Sequence, residues 1–103
     1  MITARHLKHL VHVHIVESTD AELLERRQLE QLAGDLRRAI EASLHAGLPR
    51  LAVALDSSRD FVERVLQEAT TTSTRRAIAR TRAEIALEVW RESVESLHPR
   101  LDG

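Results

Sequence analysis

The chain has 103 residues, a formal net charge of −1 at pH 7, no cysteine, and only Phe61 and Trp90 as aromatic side chains. This length suits one domain whose modest core is built from aliphatic side chains, a composition that favours helices. The lack of cysteine excludes disulfides, thiolate nucleophiles and Cys-based zinc sites. No apolar run approaches the roughly 18–20 residues that span a bilayer, so we expect a soluble cytoplasmic protein without a membrane partner.

The first predicted element is a single β-strand within residues 7–17. Val11, Val13 and Ile15 alternate with His12 and His14, and a two-residue period rich in β-branched side chains is typical of a strand. A lone strand leaves both of its edges unpaired. We therefore expect it to pair with the same strand of a second subunit in a dimer ribbon.

A helix is predicted to begin near residue 20 and to end at Ala46. The sequence Thr19-Asp20-Ala21-Glu22 has the form of a capping box. Gly47 followed by Leu48-Pro49 is typical of one helix ending and the next beginning. Gly34-Asp35 could divide this helix in two, with Asp35 as the N-cap of the second part. One stripe of aliphatic side chains runs along it: Leu29, Leu32, Leu36, Ile40 and Leu44.

Residues 48–66, LPRLAVALDSSRDFVERVL, predict two short helices joined by a tight turn. Leu48, Leu51 and Leu55 have helical spacing before the turn, and Val62 and Val65 have it afterwards. Between them, Asp56-Ser57-Ser58 are residues that favour turns and helix N-caps. The pattern therefore indicates a perpendicular helix pair.

This segment is similar to the tri-helical helix-turn-helix DNA-binding family. The pattern L-x-x-L-A-x-A-L-x-x-S-R-x-x-V-x-R-x-L is met by Leu48, Leu51, Ala52, Ala54, Leu55, Ser58, Arg59, Val62, Arg64 and Leu66. In that family the second helix lies in the major groove and the first crosses the DNA backbone. The resemblance implies a recognition helix at Ser57–Ala69 and Arg50 near phosphate. It places six side chains on the reading surface: Ser57, Ser58, Arg59, Asp60, Glu63 and Arg64.

A long C-terminal helix is predicted over residues 75–97. Its arginines lie in the N-terminal half and its glutamates in the C-terminal half, each at the unfavourable end of the helix dipole. An antiparallel second copy would offset this arrangement, so Ile85, Val89 and Trp90 are predicted dimerisation residues. Packing within its own subunit is an alternative, and a third is that Arg75, Arg76 and Arg80 bind phosphate. The predicted apolar stripe comprises Ile78, Ile85, Ala86, Val89, Trp90, Val94 and Leu97.

Neither a metal site nor a catalytic site is predicted. The N-terminal histidines have helical spacing at 6, 9 and 12 but share a strand face at 12 and 14, so the two ligand sets need incompatible backbones. His45 with Glu41 could form a general base and its orienting partner, but a solvated pair is far more common. We therefore expect no cofactor and no enzymatic activity.

Together these patterns predict a mainly α fold with a tri-helical helix-turn-helix core, a single N-terminal β-strand and a long C-terminal helix, in a dimer. The predicted segments are residues 1–18 for the ribbon, 19–69 for the core and 70–103 for the linker and dimerisation helix. The predicted function is sequence-specific binding of double-stranded DNA by a small dimeric transcription regulator. The alternative is a helical protein–protein interaction module, such as an adaptor, an antitoxin-like inhibitor or an assembly factor.

Overall fold

The computed structural model describes the backbone of residues 4–102 and the side chains of residues 20–97. This part of the chain forms three α-helices: α1, Ala4–His45; α2, Pro49–Gln67; and α3, Ser73–Asp102. The prediction of a mainly α fold is confirmed. No helix in the described part is both long and apolar enough to cross a membrane.

The predicted N-terminal strand concerns residues whose side chains lie outside the described part of the chain. Its dimerisation residues Val11, Val13 and Ile15 precede residue 20, in a segment that is assigned to α1. Residues 20–97 contain no strand. The dimer ribbon stays a prediction.

The turn between α1 and α2 has the form that the sequence predicts. Gly47 adopts a positive φ of 75°, the left-handed conformation that glycine enters without a steric penalty. Its N–H bonds to the carbonyl of Leu44 at 3.1 Å, and the N–H of Leu48 bonds to that of Ser43 at 2.8 Å. These two bonds define a Schellman motif, and Pro49 then occupies the first turn of α2.

The predicted turn at residues 56–58 is wrong, because α2 is one continuous helix from Pro49 to Gln67. Asp56 and Ser57 are exposed on this helix, whereas Ser58 is buried. Aspartate and serine cost at most about 0.7 kcal/mol each inside a helix, less than the burial of one leucine or valine contributes. An unbroken buried stripe outweighs that cost: Ala52, Leu55, Ser58, Val62 and Val65. The separate recognition helix at Ser57–Ala69 is therefore absent.

The suggested division of α1 at Gly34-Asp35 is also wrong. The helix continues through both residues to His45. A single glycine in a helix interior costs about 1 kcal/mol relative to alanine, and the core contacts of Ala33 and Leu36 on either side offset it.

The core lies between all three helices, which contact one another pairwise. The short connections make α1 and α2 antiparallel, and likewise α2 and α3. Helices α1 and α2 contribute large aliphatic side chains to the core, whereas α3 contributes mainly alanine. The buried core residues are Leu29, Ala33, Leu36 and Ala39 from α1, Leu55, Val62 and Val65 from α2, and Ala79, Ala83 and Leu87 from α3.

The predicted apolar stripe of α3 is only partly the face that packs inward. Ala79 and Ala83 are fully buried, while Ile78, Ile85 and Val89 are exposed. The inner face is instead formed around Ala79, Ala83 and Leu87, with Trp90 packed against the core.

Candidate functional site

Two of the arginines predicted to contact DNA from α2 are held in ion pairs on the same helix. Arg59 Nη2 lies 2.6 Å from Asp56 Oδ1, and Arg64 pairs with Asp60 one turn before it. The Nε of Arg59 is buried with no hydrogen-bond partner among the described residues. Both guanidinium groups therefore have a carboxylate neighbour in place of a phosphate.

The other predicted contacts on α2 do not all lie on one surface: Arg50 and Ser57, seven residues apart, share an exposed side, but Ser58 is buried. Glu63 accepts a hydrogen bond from Arg37 Nε of α1 at 3.0 Å, and Ser58 is buried at 8% exposure. Ser57 and Arg50 are exposed. The two serines predicted to read bases thus lie on different sides of the helix, one in the bundle and one outside it.

Arg76, predicted as a phosphate clamp, is instead a buried structural residue. Its side chain is 9% exposed, and its Nε lies 2.5 Å from Glu25 Oε2 on α1. Its Nη1 donates to the carbonyl oxygen of Thr71 at 2.6 Å and to the Thr71 hydroxyl at 2.8 Å. Arg76 therefore ties the α2–α3 connection and the start of α3 to α1.

Arg75 and Arg80 also have carboxylate partners. Arg75 Nε lies 2.7 and 2.8 Å from the two oxygens of Glu68, whereas Arg80 Nε is 3.8 Å from Glu84. The hydrogen bond from Arg75 holds the pKa of Glu68 below its ordinary value and raises the pKa of Arg75. Both groups are charged at neutral pH, so this pair is intact there.

Arg26 caps the C-terminal end of α2. Its guanidinium donates to the carbonyls of Leu66 at 3.2 Å and Glu68 at 2.9 Å, and to Glu22 at 3.2 Å. Carbonyls at a helix end have no partner within the helix and favour a nearby cation. Arg26 and Glu25 are not among the predicted contacts, because their partners outside α1 lie at least 40 residues away in the sequence.

A shallow apolar groove runs between α2 and α3 on the side away from α1. One part of it has a volume of about 290 Å³. A second part, of about 510 Å³, continues it toward the α1–α2 turn and shares Leu51 with the first. The first part is lined by Leu51, Ala54, Leu55, Ser58, Arg82, Ile85, Ala86 and Val89.

The α3 wall of this groove belongs to a second stripe on that helix, which we call the outer seam. Its members follow one another at spacings of four, three, four, three and four residues, the a/d spacing of a coiled-coil helix. All six are exposed. The outer seam consists of Ile78, Arg82, Ile85, Val89, Glu92 and Ser96.

The large apolar members of the outer seam are clearly accessible. Ile85 is 59% exposed, Val89 47% and Ile78 48%. Ile85 and Val89 are predicted dimerisation residues that lie on this seam, whereas the third, Trp90, is half-buried and packs against the core. Arg82 and Glu92 are not among the site residues predicted from the sequence. The spacing of four and three residues from 78 to 96 places them on the same stripe as Ile85 and Val89.

The charged members of the outer seam have no salt bridge within residues 20–97. Arg82 lies over the ring of Phe61, 4.5 Å from its centroid, and has no carboxylate within 4 Å among those residues. Glu92 likewise lacks a cationic partner there, as does Arg50, which borders the groove. These charges remain available for an external partner.

The described side chains form no arrangement suited to metal binding. Residues 20–97 contain no group of three or more His, Asp or Glu side chains that could hold a metal ion. His45 Nε2 lies 3.9 Å from Glu41 Oε1, and both side chains are highly exposed. This pair has the solvated form that the sequence suggested. The N-terminal histidines precede the described side chains.

Known proteins give no indication of the function of this chain. No family model, curated protein or solved structure matches the chain. The likeness to the helix-turn-helix family therefore rests on residue spacing in 48–66 alone. In this segment the predicted turn is replaced by continuous helix.

Proposed function

We propose that this chain is a helical protein–protein interaction module that binds an amphipathic helix along the outer seam of α3 and the groove beside it. The observation that carries the proposal is the arrangement of side chains on α3. Alanine faces its own core, while Ile85 and Val89 face solvent at 59% and 47% exposure. A helix laid against an apolar groove is a common mode of peptide recognition.

Burial of these side chains supplies the driving force. Complete burial of an aliphatic side chain contributes roughly 1.5–3 kcal/mol relative to its exposed state. Ile85 and Val89 lie one helical turn apart and line the same groove with Leu51 and Ala54. A partner helix with apolar residues at three-and-four spacing would bury them together.

The charges around the groove favour an acidic partner. Arg50 and Arg82 border it and have no salt bridge within residues 20–97. Rim charges select among partners more than they add affinity. We therefore propose that the partner helix carries glutamate or aspartate beside its apolar stripe.

DNA binding has less support from the site than this interaction. Five of the six arginines assigned to DNA have a carboxylate partner: Arg59, Arg64, Arg75, Arg76 and Arg80. Phosphate contact requires cations that are free to replace counterions. Binding of double-stranded DNA at these residues and at Arg50 is the competing prediction, and a parallel selection from duplex DNA tests it.

The test is a selection from a displayed library of amphipathic helical peptides against three immobilised forms of the full chain. These are the wild type, Ile85→Glu/Val89→Glu, and the control Val53→Glu, which changes a residue that is 71% exposed and outside the groove. Circular dichroism checks that each form remains helical. We expect the wild type and the control to enrich peptides with an acid-flanked apolar stripe, and the double variant to lose them.

Two results would overturn the proposal. One is enrichment of no peptide family by wild type immobilised sparsely enough to be monomeric, and the other is equal enrichment by the double variant. A parallel selection from random duplex DNA, at low and moderate salt, uses the wild type and Arg59→Ala/Arg64→Ala. Duplexes retained by the wild type and lost by that variant would instead favour the DNA-binding regulator.

A further inference from the structure

We infer that the helix bound by the outer seam is α3 of a second copy of this chain, antiparallel to the first. The two-fold axis passes between Ile85 and Val89, at the level of Leu87 along the helix. This inference rests on the proposed function, because it names the partner of the same surface. It also fixes which residues of the two copies meet.

The register follows from the spacing of the seam. In an antiparallel pair of helices, each a position packs beside a d position of the partner. Ile85 and Val89 lie two residues on either side of Leu87, and Arg82 and Glu92 lie five residues on either side. An axis beside Leu87 therefore places Ile85 next to the partner's Val89, and Arg82 next to the partner's Glu92. Each contact occurs twice.

The charges discriminate between the two orientations. In a parallel pair, equivalent positions meet, so Arg82 would face the partner's Arg82 and Glu92 the partner's Glu92. Like charges opposed across an interface cost free energy, whereas opposite charges specify register and orientation. In the antiparallel register both charged members meet the opposite sign, and neither has a competing salt bridge within residues 20–97.

The glutamate nearest the proposed axis already has a cation on its own helix. Glu88 lies beside the seam, one residue from Leu87, so its counterpart in the partner would be close. Arg91 Nη1 lies 3.4 Å from Glu88 Oε2. This neighbour offsets the repulsion between the two copies of Glu88. The outer seam itself then has apolar contacts at its centre and complementary charges on both sides.

Charge exchange between the two copies tests this register. Arg82→Glu creates two Glu–Glu contacts in a homodimer, and Glu92→Arg creates two Arg–Arg contacts. An equimolar mixture of the two variants restores both oppositely charged contacts, but only in the mixed dimer. The control is Glu95→Arg, at an exposed position of α3 that is outside the seam.

Sedimentation equilibrium of the full-length proteins gives the measurement, with the monomer mass at 11.7 kDa. We expect the wild type and Glu95→Arg to form dimers. Each single seam variant should raise the dimer dissociation constant by roughly tenfold or more, and the mixture should recover the dimer. A tag on one variant identifies the mixed species. Circular dichroism confirms that both variants fold.

The possible failures are distinguishable. A monomeric wild type whose seam still selects peptides contradicts the second copy as partner but leaves the proposed function standing. A dimer that is unaffected by either charge change, or a mixture that does not recover, contradicts the register. Loss of both dimerisation and peptide selection at the seam overturns both proposals.

Discussion

The inner face of α3 is buried in the bundle around two alanines and Leu87, whereas its outer seam leaves three large aliphatic side chains exposed. The inner face presents Ala79 and Ala83, both fully buried, while the outer seam presents Ile78, Ile85 and Val89 to solvent. Hydrophobicity alone therefore does not decide which side chains of α3 are buried in the bundle. Ile78, Ile85 and Val89 are the side chains that the proposed partner helix would bury.

The largest expected effect comes from Arg76, the charged residue of the inner face. Arg76→Ala removes the contacts with Glu25 and Thr71 and should lower the free energy of unfolding by about 3 kcal/mol, since the buried groups left behind lose their partner. Urea denaturation measures the change. The control is Arg80→Ala, whose exposed pair with Glu84 should matter little. Equal losses in both variants would contradict a structural role specific to Arg76.

A smaller loss is expected when the inner face is enlarged. Ala83→Leu adds an isopropyl group at a position with 0% exposure, and such overpacking costs about 2 kcal/mol. The same denaturation experiment measures it. A neutral or stabilising result would mean that the space between α3 and its neighbours is not filled as described.

The pair between Glu68 and Arg75 should contribute a modest stability that depends on pH. The lowered pKa of Glu68 means that the folded state favours the carboxylate, so the contribution is fully present above the ordinary pKa of 4.5. It declines below that pH and is lost as the pH falls through the folded-state pKa. We expect Glu68→Gln to lower Tm at pH 7 by a small amount.

The difference between Glu68→Gln and the wild type should disappear in acid. Thermal melts from pH 7 to pH 2.5 follow it, with Glu30→Gln as the control, because Glu30 is exposed and has no salt bridge within residues 20–97. A difference that persists unchanged at pH 2.5 would show that the loss at pH 7 does not come from the ionised pair.

The smallest effect on the isolated monomer is expected at the outer seam. Ile85→Ala should change the free energy of unfolding by no more than about 0.5 kcal/mol, because the residue makes little contact with its own core. The measurement is made at concentrations too low for self-association. A decrease in the free energy of unfolding as large as that of Ala83→Leu would mean that Ile85 stabilises the monomer, and the contrast between the two faces of α3 would not hold.

The turn between α1 and α2, which depends on local backbone chemistry, could be predicted from the sequence. Gly47 and Pro49 specify the end of one helix and the start of the next through a positive φ and a fixed first turn. The prediction of a turn at residues 56–58 was wrong because local preference was too weak to decide the structure. Asp56 and Ser57 only weakly disfavour a helix, and the buried stripe through Leu55 and Val62 decides the outcome.

The candidate site was only partly predictable. Ile85 and Val89 are large apolar residues at helical spacing, and the sequence marks them as apolar without showing which face packs inward. That choice depends on Ala79 and Ala83 fitting against the other two helices. The link between Arg76 and Glu25 spans 51 residues, and no spacing rule connects such a pair.

The most direct test of the antiparallel seam is the distance between spin labels on the two copies. Single cysteines at Ala77 and Glu95, both exposed and outside the seam, can be labelled without interference because the chain has no cysteine. With an axis beside Leu87 and a rise of 1.5 Å per residue, equivalent sites are separated along the axis by about 30 Å at 77 and about 24 Å at 95. Pulsed dipolar spectroscopy showing separations consistent with both values would support this account. Equally short distances at both sites, as in a parallel pair, or no coupling at concentrations where the wild type is fully associated, would contradict it.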